Sequence, residues 1–206
     1  MLKIWGRPNS INVQKVMWVI GELGLDHERV DVGGAFGGLD TDEYRALNPN
    51  RKIPVLDDDG TIVWESHSCV RYLAAKHLNG SLWPDDLSER SVADRWMDWK
   101  ITTVLPQLHI CFWGLIRTAE ADRNMAAIDK AAHDLGEIWG LFDDHLKDRT
   151  FVTGDRLTMG DIPLGAAFYR YASLPIERPS LPAIDAWYQR LQARPAYRDH
   201  VMIPVT

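Results

Sequence analysis

Cysteine is scarce in this 206-residue chain: Cys69 and Cys111 stand far apart and form no C-x-x-C pair. That excludes a local dithiol redox couple and a disulfide-stapled scaffold, and both residues are expected to be small and buried. An excess of basic charge is lacking as well. The 23 basic residues against 29 acidic ones leave a net charge of −6, with no run of Lys or Arg, which argues against nucleic-acid and anionic-membrane partners. No apolar run approaches the roughly 20 residues that span a bilayer. Met1 to Trp5 leads straight into a strand pattern without the charged and apolar regions of a leader. The seven histidines show no paired ligand spacing, so no metal site is expected. Gly33 to Gly38 is rich in glycine but lacks the flanking strand and helix, and the lysine, of a phosphate-binding loop. What remains is a soluble, cytoplasmic chain of ordinary globular composition, long enough to bury one or two cores.

The first part alternates strands and helices. Lys3 to Trp5 is strand-like, and Gly6 to Asn9 reads as a turn. Val13, Val16, Met17 and Ile20 form the apolar stripe of a helix that Gly24 ends. His27 to Val32 fits a second strand, Thr41 to Leu47 a short helix before Asn48-Pro49. Val55-Leu56 and Thr61 to Trp64 flank Asp57-Asp58-Asp59-Gly60, a hairpin signal. After Ser66, Val70, Leu73, Ala74 and His77 share a helix face. The order β-α-β-α-β-β-α describes an α/β domain over 1–79, and residues 80–85 read as a linker. The remainder, 86–206, carries helical periodicity only, over Asp86 to Arg117, Arg123 to Lys147, Thr158 to Ser173 and Leu181 to Arg194, which predicts an all-α bundle.

Two stretches carry more than periodicity. In Lys52-Ile53-Pro54-Val55-Leu56 the proline lacks an N–H and belongs at a strand's start, with a cis Ile53-Pro54 bond as one option. Such a bond would turn the Ile53 N–H and C=O outward to pair with an extended ligand. Glu65 and Ser66 then stand at a helix N-terminus, where N–H groups and the dipole favour an anion. Together they describe a site for a small zwitterionic peptide. In Leu157 to Ile162, Thr158 at the N-cap and Asp161 at N3 predict a capping box, with Leu157 and Ile162 as its hydrophobic staple.

With both halves laid out, the chain resembles the cytosolic glutathione S-transferase family, whose members join a thioredoxin-like domain to an all-helical one. The resemblance runs from Ile4 to about Arg194. It rests on Asn48-Pro49 ahead of Lys52-Ile53-Pro54, on Glu65-Ser66, and on the Thr158 to Asp161 box taken together. Pro8 to Asn12 is similar to the serine-type, theta- or delta-like and bacterial members. Trp5 stands near where the tyrosine-type branch carries its tyrosine, and Ser10 where the cysteine-type branch carries cysteine. Two departures stand out: Arg51 replaces a frequent glycine, and His67-Ser68-Cys69 is unusually polar.

The resemblance implies a detoxifying transferase that conjugates glutathione, its co-substrate, to small hydrophobic electrophiles as a cytoplasmic homodimer without a metal. A thiol of pKa near ~8.5 is mostly protonated at neutral pH, and lowering it by two units takes roughly 2.7 kcal/mol of selective thiolate stabilisation. Ser10 is the expected donor, with Asn12 as the second candidate; a serine that merely caps the helix is the bland alternative. Glu65 would meet the γ-glutamyl ammonium, Ser66 the α-carboxylate, Lys52 the glycyl carboxylate and Ile53 the peptide backbone. Trp99, Thr103, His109 and Trp113 are the expected electrophile-pocket residues, although most such aromatics belong to cores. A glutathione-dependent disulfide reductase or peroxidase is the rival enzyme, and a non-catalytic ligand-binding protein of the same fold the rival from another class.

Overall fold

The computed structural model describes residues 1–77 and 82–206. The chain divides into two compact units, 1–83 with 195–203, and 84–194 with 204–206. The expected linker's first residues, with Asn79 before them, lie outside the described residues.

In the first unit, β1 (Leu2–Trp5), β2 (His27–Val30), β3 (Val55–Asp58) and β4 (Thr61–Trp64) form one sheet in the order β2-β1-β3-β4. β1 runs parallel to β2 and antiparallel to β3, which pairs antiparallel with β4. The parallel step requires a crossover, supplied by α1 (Ile11–Leu23). The β3–β4 hairpin turns at Asp59-Gly60, both at positive φ as a two-residue primed turn demands. Strand alternation sends Ile4 and Leu56 to one face, each wholly buried. On the other face Val55 packs with Val32 and Tyr44, with Trp5, Ile53 and Ile62 against them. Tyr44 belongs to α2 (Asp42–Leu47), capped by Thr41, whose hydroxyl accepts from the Tyr44 N–H at 3.2 Å. α3 (Ser66–Lys76) packs on α1.

The C-terminal boundary differs from expectation. Residues 195–203 belong to the α/β unit rather than to the helical one. α9 (Pro195–His200) packs on α1, with Tyr197 edge-on to Trp18 at 4.7 Å between centroids. Gly21 makes this possible: a Cβ there would lie 2.9 Å from that of Ala196 and 3.0 Å from the His200 ring.

The second unit is helical throughout its regular structure. One run comprises α4 (Leu87–Trp99), a π segment (Lys100–Val104), α5 (Leu105–Phe112) and a second π segment (Trp113–Arg117). Periodicity predicted this run as one regular helix. Pro106, in the first turn of α5, has no N–H to give the preceding turn, which accounts for the wider i→i+5 bonding before it. α6 (Met125–Leu146), α7 (Asp161–Ala172) and α8 (Pro182–Gln192) complete the unit. Its core is aromatic: Trp139, Phe142, Phe168, Tyr171 and Trp187 interlock with centroids 5.2–6.2 Å apart.

The turn before α7 is more than a capping box. Regular helix begins at Asp161, with Gly160 in the cap position where Thr158 was expected. Asp161 Oδ2 accepts from the Thr158 N–H at 2.9 Å and from its hydroxyl at 3.3 Å. Oδ1 accepts from the Val152 N–H at 3.0 Å and from Trp187 Nε1 at 2.9 Å. The carboxylate therefore ties three segments together. Burial pushes its pKa up to about 6 against the hydrogen bonds that favour the charge.

Candidate active site

The turn between β1 and α1 is built around Gly6, whose N–H donates to Val30 C=O at 2.8 Å. A Cβ at Gly6 would lie 2.4 Å from Val13 Cγ2 and 3.3 Å from Ile53 Cβ, so only glycine lets the turn close over the start of α1. Ser10 occupies the N-cap position of α1, yet its side chain makes no cap hydrogen bond. Its hydroxyl has no partner among the described residues, although the residue is 9% exposed. The bland reading of Ser10 as a helix cap therefore loses its mechanism.

One turn on, Asn12 is half-buried, and its Oδ1 accepts from Lys15 Nζ at 2.9 Å. The same ammonium donates to Ser66 Oγ, 3.0 Å away, and Ser66 Oγ lies 3.4 Å from Asn12 Oδ1. Lys15 is 1% exposed and Ser66 6%. The N-terminal turns of α1 and α3 thus meet through a polar triad of two buried side chains and one half-buried one. Sequence reasoning missed Lys15; the signal was a lysine placed between Val13, Val16 and Val19 of the apolar stripe, where helical geometry buries rather than solvates it.

Glu65, in the cap position of α3, has φ 68° and ψ 116°, and no side chain caps this helix either. A non-glycine residue there is uncommon and strained. Its exposed carboxylate stands beside the buried Ser66. Ile53-Pro54 is a cis peptide. Among the described residues, the Ile53 N–H and C=O have no hydrogen-bond partner. The preceding loop is held from behind: Lys52 C=O accepts from Tyr44 Oη at 2.8 Å and from Asn48 Nδ2 at 2.9 Å. The Lys52 side chain is exposed. Arg51 sits at φ 53°, the left-handed conformation that glycine adopts most readily, and its guanidinium pairs with Asp40 at 2.8 Å.

The first unit therefore places an unengaged hydroxyl, an amide, a carboxylate and open backbone groups around two helix N-termini that no side chain caps. Such a surface offers N–H and O–H donors to anions and one carboxylate to a cation. The cysteines contribute no nucleophile: burial pushes the Cys69 thiol up to about 12 and Cys111 to about 11.

The four expected pocket residues of the helical unit do not act alike. The Trp99 ring, half-buried, packs 4.8 Å from Trp96 and 6.3 Å from Trp139, at the edge of the aromatic cluster. His109 and Trp113 form an exposed pair, 5.5 Å between centroids. Thr103 is half-buried within the first π segment. A cleft of about 590 Å³ in this unit is lined by other residues, among them Leu115, Ile128, Asp129, His133 and Arg178.

Comparison with known proteins agrees across the chain. Residues 9–76 match the family model for the glutathione S-transferase N-terminal domain, and residues 93–195 that for the C-terminal domain. Glutathione S-transferase GstB of Escherichia coli is 37% identical over 208 residues, with both chains covered in full. The theta class glutathione S-transferase of the citrus canker pathogen Xanthomonas axonopodis pv. citri, with glutathione bound, is 46% identical with a TM-score of 0.95, covering 100% of this chain and 99% of that one. An epsilon-class glutathione S-transferase from housefly is 26% identical with a TM-score of 0.80, over 97% of this chain and 91% of that one.

Proposed function

Because the chain belongs to the glutathione S-transferase family, we propose that its α/β unit binds glutathione and ionises it for attack on small hydrophobic electrophiles. The observation that carries this reading is the Ser10 hydroxyl, held at a helix N-terminus without a capping bond. A free donor at the positive end of a helix dipole stabilises a thiolate more than the thiol, which is the selective interaction that catalysis requires. Glu65 receives the γ-glutamyl ammonium, Ser66 and the α3 N-terminus its carboxylate. The open Ile53 backbone pairs with the peptide, and Lys52 meets the glycyl carboxylate.

The thiol proton leaves to solvent. The sulfur lone pair then forms the new bond to the electrophilic carbon as the leaving group departs with its electron pair. The protein supplies orientation and thiolate stabilisation, and no general base is required. His109 and Trp113, exposed together, are the aromatic surface proposed to meet the electrophile. A homodimer, a cytoplasmic location and a role in detoxification complete the proposal on the strength of family membership; sedimentation at monomer mass would remove the first.

The test is conjugation of an aromatic halide, with the ultraviolet absorbance of the bound thiolate followed against pH. Ser10→Ala should move thiolate formation to higher pH and lower turnover. Unchanged behaviour, with the loss appearing in Asn12→Leu instead, transfers the role to Asn12. The half-buried Asn12 amide favours a second reading, glutathione-dependent reduction of mixed disulfides, and a mixed-disulfide substrate assayed beside the halide separates the two.

A further inference from the structure

Lys15 has no part in the roles above, yet it is the most deeply buried charge among their residues. An ammonium offers donors and no acceptor. Each group it touches must therefore turn an acceptor towards it. Asn12 presents Oδ1 at 2.9 Å, which fixes which way round the amide sits, and Ser66 presents an oxygen lone pair at 3.0 Å. The donor ends of both groups are then directed away from Lys15. Asn12 Nδ2 has no hydrogen-bond partner among the described residues. The Ser66 proton has only the 3.4 Å contact to Asn12 Oδ1, longer than an ordinary O–H···O bond and readily exchanged for a carboxylate acceptor.

We propose that Lys15 is a positioning residue whose buried charge locks Asn12 and Ser66 as outward donors, aiming Asn12 Nδ2 at the glutathione sulfur and the Ser66 hydroxyl at its carboxylate. The inference rests on the glutathione-binding reading of this site and deepens it. Without the ammonium, the Asn12 amide is free to rotate by half a turn and present its oxygen to the sulfur, repelling the thiolate that it otherwise stabilises.

The experiment follows the thiolate absorbance of saturating glutathione against pH in the full-length protein, with thermal melts in parallel. Lys15→Met, which keeps the length and apolar contacts of the stem, should raise the apparent pKa of the bound thiol by about one unit or more, a tenfold loss of thiolate. A folded Lys15→Met protein with the parent thiol pKa overturns the proposal, since a merely structural lysine would leave that quantity unmoved. If Lys15→Met does not fold, Asn12→Asp decides. It keeps an acceptor for Lys15 but lacks the outward N–H, so a raised thiol pKa is expected and an unchanged one overturns the proposal. A parent protein that neither binds nor ionises glutathione sinks the functional reading itself, a result distinct from either variant outcome.

Discussion

The N-termini of α1 and α7 both carry a short polar residue ahead of an apolar helix, yet one is left open and the other is closed. At α7, the Asp161 carboxylate accepts three N–H groups and a hydroxyl, all buried. At α1, Ser10 holds the capping position and caps nothing. Unsatisfied donors at a helix end are a cost unless water or a ligand completes them. The closed terminus thus belongs to stability, and the open one is the end proposed to bind. Both look alike in sequence, because Ser, Thr and Asp are favoured at any helix start.

The largest effect should come from breaking the closed end. Asp161→Ala strands three buried N–H donors, and at about 1–3 kcal/mol for each stranded group it should destabilise the helical unit by about 3 kcal/mol or more. Urea denaturation followed by tryptophan fluorescence reads this, while retention on immobilised glutathione at low temperature should persist. Breaking the open end should do the reverse. Ser10→Ala should lower turnover about 10²-fold, as loss of a charge-stabilising donor does elsewhere. Its melting temperature should stay within the scatter of surface substitutions, because no cap is lost. Thr41→Ala provides the control between them: this threonine does cap α2, so it should cost about 1 kcal/mol with turnover unchanged.

The smallest effect separates the units by pH. The Asp161 carboxyl, raised by burial from 3.8 to about 6, binds its proton more tightly folded than unfolded. The helical unit therefore gains stability from it as pH falls from about 6 towards 4. Asp58 behaves oppositely. Burial raises its pKa, but hydrogen bonds from Lys76 and Tyr72 outweigh that and hold it below its ordinary value. Its contribution to the α/β unit is present above the ordinary carboxyl range and lost as pH falls through the lowered pKa. Hydrogen exchange should show the helical unit gaining protection from Asp161 between pH 6.5 and 4.5, and the α/β unit losing protection through Asp58 only below about pH 4; Asp161→Asn should abolish the first change and Asp58→Asn the second.

Local chemistry was legible in the residues. Asp57 to Gly60 announced the hairpin, and Val13, Val16, Met17 and Ile20 the buried face of α1. Pro54 and Glu65-Ser66 pointed to the surface proposed to hold glutathione, and the cis option for Ile53-Pro54 is the one the chain adopts. What escaped reading depends on partners far along the chain. Lys15 is buried with one of its acceptors, Ser66, 51 residues away. The π segments break a periodicity that continues on both sides of Pro106. The aromatic partners of Trp99, Trp96 apart, lie on another helix. Residues 195–203 carry a helix too short for periodicity to declare, and its place depends on the missing side chain of Gly21.

That last contact also has a temporal side. A ribosome releases α1 early and Tyr197 of α9 179 residues after Trp18, so Trp18 waits for Tyr197 through most of synthesis. The sheet and its first crossover can form in the meantime, since their strands lie within the first 64 residues. The groove at Gly21 stays an open apolar surface until then, and the helical unit has every opportunity to fold first. In this chain the earlier-made unit is the later-finished one.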